Sequence, residues 1–346
     1  MDRTLTYSQA LREGIEQEMD RDPSVIVMGM GVDDCKGIYG TTLGLVKKFG
    51  AGRVFDTPLA EDGMTGAAIG AALGGLRPVH VHIRMDFLLL AMNQLVNIAA
   101  KSRYMSGGAV SVPLVVRSVI GKSWGQGGQH SQGIYSFFMH VPGLKVFAPT
   151  TPYDAKGCLI QAIRDDNPVL FVEHRMLHYQ KGHVPEEPYA VPFGKARLLE
   201  KGTDITMVGI SYMAVECLRA GAYLRQKKIE AEVIDPVSLS PLDTETIVQS
   251  VRRTGRLLVV DCGWMTCGAG AEIIARVMER LQGEREIRVQ RMGFAPVTCP
   301  TTRNLEEQFY PNARTIAARA YQMVHQGDWL PSAEQPLEAV EFKGPF

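Results

Sequence analysis

Charge of one sign, paired cysteines and long apolar runs are all missing from this chain. Its 346 residues carry 37 Lys and Arg against 37 Asp and Glu. A protein built for sequence-independent nucleic-acid binding needs a basic face and usually a basic excess, so the balance argues against that class. No apolar stretch reaches the about 20 residues that cross a bilayer. The polar opening MDRTLTYSQALREGIEQEMDRD has no apolar h-region of a secretory signal. Six cysteines, at 35, 158, 217, 262, 267 and 299, form no CxxC pair, and Cys262 to Cys267 has the wrong spacing for a zinc knuckle. Reduced thiols and a cytoplasmic setting are the expectation. Internal repeats, low-complexity tracts, GxSxG, HExxH and a P-loop are missing too.

What remains is a soluble-type composition, 45% hydrophobic and 21% charged, long enough for two domains. Short β-branched runs alternate with helical patterns. VIVMGM, RVFDTP, PVHVHI, VPLVVRSVI, GLKVFAP and PVLFVEH read as strands in the first half. Tyr7 to Asp20, Glu61 to Gly75, Phe87 to Tyr104 and Pro152 to Arg164 read as helices between them. Strict alternation means βαβ units and mainly parallel sheets covered on both faces, an α/β class. Proline-rich GHVPEEPYAVPFGKARLLE reads as a connection. ITMVGIS, AEVIDPVSL, RLLVVDCG and IRVQRMG then begin a second α/β series. The expected boundaries are a first domain at 1–185, a connection at 186–200, a second domain at 201–330 and a tail at 331–346.

The stretch Thr57 to Gly75, TPLAEDGMTGAAIGAALGG, opens on a proline turn and two acids and continues in very small residues. Small residues let a helix pack closely, and glycine-rich turns often cradle phosphate, which a carboxylate would repel. An acid in a helix's first turn commonly complements the macrodipole and its free N–H groups. Glu61 also stands at the strand-to-helix turn of a parallel sheet, the edge where α/β ligands bind. The residues alone leave both roles open. His130 lies in the glycine-rich loop GKSWGQGGQHSQG, directly after a buried strand, and can donate, accept or carry a proton near neutral pH. A mobile surface loop would read the same way. GAGAE (Gly268 to Glu272) fails the dinucleotide pattern and reads as close helix packing. His80 and His82 share one face of a strand and read as core or interface histidines.

These residues belong to longer motifs. RVFDTPLAEDGMTGAAIGAALGGLRPV, NIAAKSRYMSGG, GGQHSQG, HVPGLKVFAPTTPYDAKGCLIQAIRDDNPVLFVEH and CPTTRNLEEQFYPNA stand in that order. Together they resemble the beta subunit of thiamine-diphosphate-dependent 2-oxo acid dehydrogenases, from about Thr4 to Tyr321. The resemblance implies a pyrimidine-binding transketolase-like domain followed by a transketolase C-terminal-like domain. It implies that Glu61 hydrogen-bonds ring nitrogen N1′ of the cofactor's aminopyrimidine and favours its imino tautomer. Phe87 is then the ring that packs on the aminopyrimidine, Leu59 lines the same pocket, and His130 contacts the reacting substrate. Main-chain oxygens at Leu114, Ala162, Ile163, Asp165 and Asn167 match a structural potassium site of the family.

The chain departs from the family in places. GMGV puts Met30 where relatives carry an acid, and RMDFLLLA replaces TFNFxxQA, adding Arg84 and Asp86 and putting Leu90 in place of a glutamine. The GDG…NN motif for magnesium and diphosphate is missing. The resemblance therefore implies a separate alpha subunit holding diphosphate and Mg2+, in an α2β2 assembly that serves a lipoyl acyltransferase core. The expected activity is decarboxylation of a 2-oxo acid with transfer of the acyl group to lipoamide. The alternatives are the C-terminal half of a split transketolase or acyloin-forming enzyme, which passes a two-carbon unit to an aldehyde, and a non-catalytic scaffold.

Overall fold

The computed structural model describes residues 3–121 and 125–332. Residues 122–124 of the glycine-rich loop and most of the expected tail, from 333 onward, lie outside the described residues. The chain divides into two compact units, residues 1–120 with 137–193 and residues 121–136 with 194–346.

The first unit contains β1 (Thr4–Thr6), β2 (Val25–Gly29), β3 (Val54–Asp56), β4 (Arg77–His82), β5 (Val115–Ile120), β6 (Lys145–Phe147), β7 (Val169–His174) and β8 (Lys181–His183). Within it the main sheet runs β6-β7-β5-β4-β2-β3, with every neighbouring pair parallel. Strands β2, β5 and β7 are buried along their whole length, as a sheet covered on both faces requires. Gly29 at the end of β2 allows the closest approach, since a Cβ there would stand 2.3 Å from the Val81 carbonyl oxygen. Small β1 pairs antiparallel with β8, a pairing that three-residue runs do not announce.

The helix Tyr7–Arg21 starts on a capping box between Thr6 and Gln9 and buries Tyr7, Leu11, Ile15 and Met19 on one stripe. It packs on the helix Pro152–Arg164, where Arg164 grips the buried Glu18 with two hydrogen bonds of 3.0 and 2.7 Å. Buried Lys156 donates to Glu13 and to the carbonyls of Pro185, Glu186 and Glu187, which anchors the chain as it leaves β8. The helical run expected from Phe87 to Tyr104 is broken into three types. A 3₁₀ segment at Met85–Ala91 leads into a π segment at Asn93–Ala99 and an α-helix at Ala100–Met105. Apolar spacing does not distinguish these pitches.

The second unit contains β9 (Arg197–Glu200), β10 (Ile205–Gly209), β11 (Ala231–Asp235), β12 (Ser238–Ser240), β13 (Arg256–Trp264) and β14 (Arg288–Phe294). Its sheet runs β14-β13-β10-β11-β9, parallel except for β9. The units divide between Phe193 and Gly194, and β9 forms inside the stretch read as a connection. The GAGAE stretch opens the helix Ala269–Leu281, and buried Asp261 accepts a 3.0 Å hydrogen bond from the Gly270 N–H there. A Cβ at Gly268 would stand 2.2 Å from the Trp264 carbonyl oxygen, so close packing explains the glycine.

A charged network lies fully buried between β5 and β7. Arg117 donates to both oxygens of Glu173, at 2.6 and 2.9 Å, and His178 lies 3.1 Å from the same carboxylate. Burial alone would raise the Glu173 pKa, but Arg117 and His178 outweigh it and hold the group at about 2. Glu173→Gln, which strands the Arg117 charge, is expected to cost about 3–5 kcal/mol in urea unfolding of the full chain. Arg117→Met with Glu173→Leu is expected to cost much less. A loss for the double variant equal to the sum of the losses for the two single variants would show that the pair is not coupled.

Candidate functional site

Two strand ends meet at the turn that carries Glu61. Strand β3 ends at Asp56, whose carboxylate accepts from the Val32 N–H at 2.8 Å, and the Thr57 N–H donates to the Gly29 carbonyl at 3.1 Å. These bonds tie the C-terminal end of β3 to that of β2. Ala60 N–H then donates to Pro58 O at 2.9 Å, and the helix Glu61–Leu73 begins. Ala60 provides no side-chain cap for this helix. The Glu61 carboxylate accepts no hydrogen bond and forms no ion pair with any described residue. Its acceptor oxygens remain available at the ligand-binding edge of the sheet, and the helix N-terminus favours its charge.

Around Glu61 the surroundings are apolar and small. Leu59 is 77% exposed on the turn, and Phe87 is half-buried in the 3₁₀ segment that follows β4. Gly63, Ala67, Gly70 and Gly74 form an exposed stripe on the helix. A carboxylate without a partner among the described residues, on a turn that carries an exposed leucine, suits an aminopyrimidine that offers a ring nitrogen. The residues present therefore fit thiamine diphosphate at its pyrimidine end. Among the described residues, no group of three or more His, Cys, Asp or Glu could hold a metal ion.

The same helix is held from two sides. Asp62 accepts a 3.1 Å hydrogen bond from Gln94 of the π segment. Thr65 Oγ1 lies 3.0 Å from His82 Nε2 on β4. His82 and His80 are 1% and 2% exposed, and their rings meet edge to face at 4.5 Å. His82 Nδ1 and His80 Nε2 are buried without a hydrogen-bond partner among the described residues. Burial pushes the His80 pKa down to about 4, against a small opposing effect of the Met28 carbonyl. Burial, and then His80, push His82 down to about 3. Both rings are neutral at physiological pH. The sequence reading placed both on one face of a strand but missed the Thr65 contact. The signal was there: Glu61 and Thr65 are four residues apart on one helix face.

His130 falls in the second unit, on the loop described from Gly125 onward. That loop lies against the segment Thr298 to Thr301. Cβ atoms at Gly125 and Gly128 would stand 2.4 Å from the Thr301 carbonyl oxygen and 2.3 Å from Thr298 Cγ2. Glycine is needed here for contact with CPT, the start of the late sequence motif, and not for loop mobility. Arg84 and Asp86 are buried despite their charge, whereas Leu90 is 61% exposed.

The five positions matched to potassium gather at the base of β4, β5 and β7. Arg77 Nη1 donates to the carbonyls of Ile163 and Asp165, each at 3.1 Å. The Asp165 N–H donates to the Ala162 carbonyl at 3.3 Å, and the Val169 N–H to that of Leu114 at 2.9 Å. Asn167 is turned onto the Asp165 carboxylate. Among the described residues, Arg77 is thus the cation hydrogen-bonded to two of these carbonyls, those of Ile163 and Asp165.

The two neutral histidines set a pH dependence. Their native pKa values lie below the ordinary 6.5, so their contribution is complete above 6.5 and is lost as the pH falls towards 4 and 3. Each ring is expected to cost roughly 1 kcal/mol per pH unit below 6.5. His80→Phe with His82→Phe is expected to flatten that part of the stability profile, measured by urea unfolding at a series of pH values. An unchanged slope would show that the rings protonate without unfolding cost.

Comparison with known proteins identifies the family of the two domains. Residues 3–180 match the family "Transketolase, pyrimidine binding domain" and residues 194–316 match "Transketolase, C-terminal domain". The beta subunit of acetoin:2,6-dichlorophenolindophenol oxidoreductase from Cupriavidus necator is 42% identical, covering 94% of this chain and 99% of that protein. The pyruvate dehydrogenase E1 component subunit beta of Rickettsia felis is 41% identical over 90% of this chain and 96% of its own. Among solved structures, a split-gene transketolase described as an inactive beta4 tetramer shares the fold, with a TM-score of 0.74 at 22% identity, covering 92% of this chain and 98% of that one. On the strength of both domains and of relatives that match end to end, the chain belongs to the beta subunits of the thiamine-diphosphate-dependent 2-oxo acid dehydrogenases, within the transketolase-like family.

Proposed function

We propose that this chain supplies the pyrimidine half of a shared active site, with Glu61 as the group that activates the cofactor. As a beta subunit of this family it is part of a heteromeric enzyme that decarboxylates a 2-oxo acid and passes on the acyl group. The observation that carries the residue assignment is the Glu61 carboxylate, unpaired among the described residues at the C-terminal edge of β3. Thiamine diphosphate, when bound, supplies the carbon nucleophile and the electron sink that no side chain offers. Glu61 accepts or shares a proton at the pyrimidine ring nitrogen, which sets the tautomer of the ring. Phe87 and Leu59 provide apolar surfaces that keep the ring flat and dry. The resemblance assigns His130, on the glycine-rich loop of the second unit, to contact with the reacting substrate.

The diphosphate and Mg2+ are assigned to an alpha subunit, in an α2β2 assembly. Large exposed apolar side chains support a partner: Tyr104 is 91% exposed, and Met105 is exposed beside it. Both line a cleft of about 940 Å³ with Ala100, Val112, Pro142 and Gly143. Isolated surface leucines are ordinary, but an apolar cleft with an exposed tyrosine at its rim suits a docking subunit. The names of the relatives, which specify pyruvate and acetoin, support a short 2-oxo acid or acyloin as donor. Lipoamide on an acyltransferase core is the proposed acceptor. All six cysteines are free thiols, which supports a reducing, cytoplasmic setting.

Two outcomes test this reading. In the assembled enzyme, Glu61→Gln is expected to slow exchange of the thiazolium proton by about 10²–10⁴-fold, with folding unchanged. Exchange at the wild-type rate would remove Glu61 from the mechanism. The companion test is a screen of 2-oxo acids with lipoamide or aldehydes as acceptors, and transfer to an aldehyde alone would favour the split-transketolase alternative. A potassium ion at Leu114, Ala162, Ile163, Asp165 and Asn167 is expected to raise Tm in KCl over equal NaCl. An equal Tm in both salts would leave Arg77, on the Ile163 and Asp165 carbonyls, as the cation at this place.

A further inference from the structure

Thr65 and His82 are used by nothing in the mechanism above, yet both are buried, and they join the helix of Glu61 to the centre of the sheet. Thr65 lies one turn after Glu61, on the same helix face. His82 is the last residue of β4, three residues before the 3₁₀ segment that carries Phe87. Its carbonyl oxygen lies 3.4 Å from the buried Ser118 Oγ on β5, and His80 packs edge-on against its ring. The backbone of His82 is thus tied to β5, and its ring is held between His80 on the same strand and Thr65 on the helix.

A helix with this composition needs such a tie. Only Thr65, Ala68, Ile69 and Ala72 of the helix are buried, so side-chain bulk gives it little grip on the sheet. A sliding or turning helix would carry Glu61 with it, and catalytic groups lose much of their effect when misplaced by about 1 Å. The Asp62–Gln94 bond holds the first turn against the neighbouring π segment, and the Thr65–His82 bond holds the second turn against the sheet.

We propose that the Thr65–His82 hydrogen bond, backed by the His80 ring, is a positioning device that sets the placement of Glu61 relative to Phe87. The proposal rests on the assignment of Glu61 to the cofactor ring. His82 touches neither cofactor nor substrate in this role; it acts through Thr65 and the helix.

The test uses Thr65→Val, which keeps the shape and removes the hydroxyl, His82→Phe, which keeps a flat ring, and Thr65→Ser, which restores the bond. In the assembled enzyme with thiamine diphosphate, Thr65→Val and His82→Phe are expected to slow thiazolium proton exchange tenfold to a hundredfold. Cofactor affinity by calorimetry is expected to stay within a few-fold, kcat to fall with little change in KM, and Thr65→Ser to recover the wild-type rate. In the full chain without cofactor, amide hydrogen exchange is expected to quicken within residues 61–73 and not elsewhere in the first unit. Should Thr65→Val not fold, Thr65→Ala with His82→Phe removes both polar groups from the pocket and tests the same point. Wild-type proton exchange in these variants, alongside slow exchange in Glu61→Gln, would overturn the proposal and leave the role of Glu61 intact. If Glu61→Gln itself exchanges at the wild-type rate, the role of Glu61 fails. Unchanged amide exchange in residues 61–73 on loss of the tie would then overturn the positioning device as well.

Discussion

A helix made mostly of glycine and alanine cannot hold itself against a sheet by burial, and the first unit is arranged around that limitation. Glu61–Leu73 contains Gly63, Gly66 and Gly70, each costing about 1 kcal/mol of helix propensity relative to alanine. It buries one isoleucine and otherwise only small side chains. Its outer face, with Gly63, Ala67 and Gly70 exposed, stays flat. Polar ties replace the missing bulk, with Asp62 bonded to Gln94 and Thr65 to His82. The tight turn from Thr57 to Ala60, bonded to the end of β2, fixes where the helix begins. The carboxylate that opens it is therefore placed by hydrogen bonds more than by packing. Hydrogen bonds are directional and so specify an angle as well as a distance.

The same unit manages its buried charge in two ways. Where a formal charge is kept, between β5 and β7, Arg117 and Glu173 meet in a two-pronged pair with His178 alongside. Where pairing is missing, at His80 and His82, the charge is given up instead, and burial keeps both rings neutral. A protonated His82 would put an unpaired positive charge under the helix that carries Glu61. Neutrality lets the ring position that helix without perturbing the acid.

Strand positions were readable because buried parallel strands are continuous β-branched runs, and VIVMG, VVRSVI and ITMVG carry that signature in full. Short pairings such as β1 with β8, and edge strand β9 inside a proline-rich stretch, were not readable. Three or four residues carry too little period, and their partners lie far along the chain. Phe87 to Tyr104 was readable as helical but not as a 3₁₀ turn running into a π segment, because the difference lies in backbone hydrogen bonding. At the site, the sequence offered the place of Glu61 and left its role open. The structure adds that its carboxylate is not used as a cap and that its neighbour Thr65 reaches the strand.

The departures from the family pattern fall into two environments. Leu90 is exposed on the 3₁₀ segment, where it adds apolar surface that another chain or a ligand can cover. Arg84 and Asp86 are buried beside Phe87, so they belong to the interior of the site region and not to its solvent-facing rim. Two opposite charges two residues apart, both withdrawn from water, cost desolvation energy that neutral residues would not. A chain that keeps them has a local field beside Phe87 that a threonine and an asparagine would not provide. Substrate discrimination by this field would depend on how charge develops on the reacting group, since groups fixed in a dry site act mainly on charge that changes during reaction.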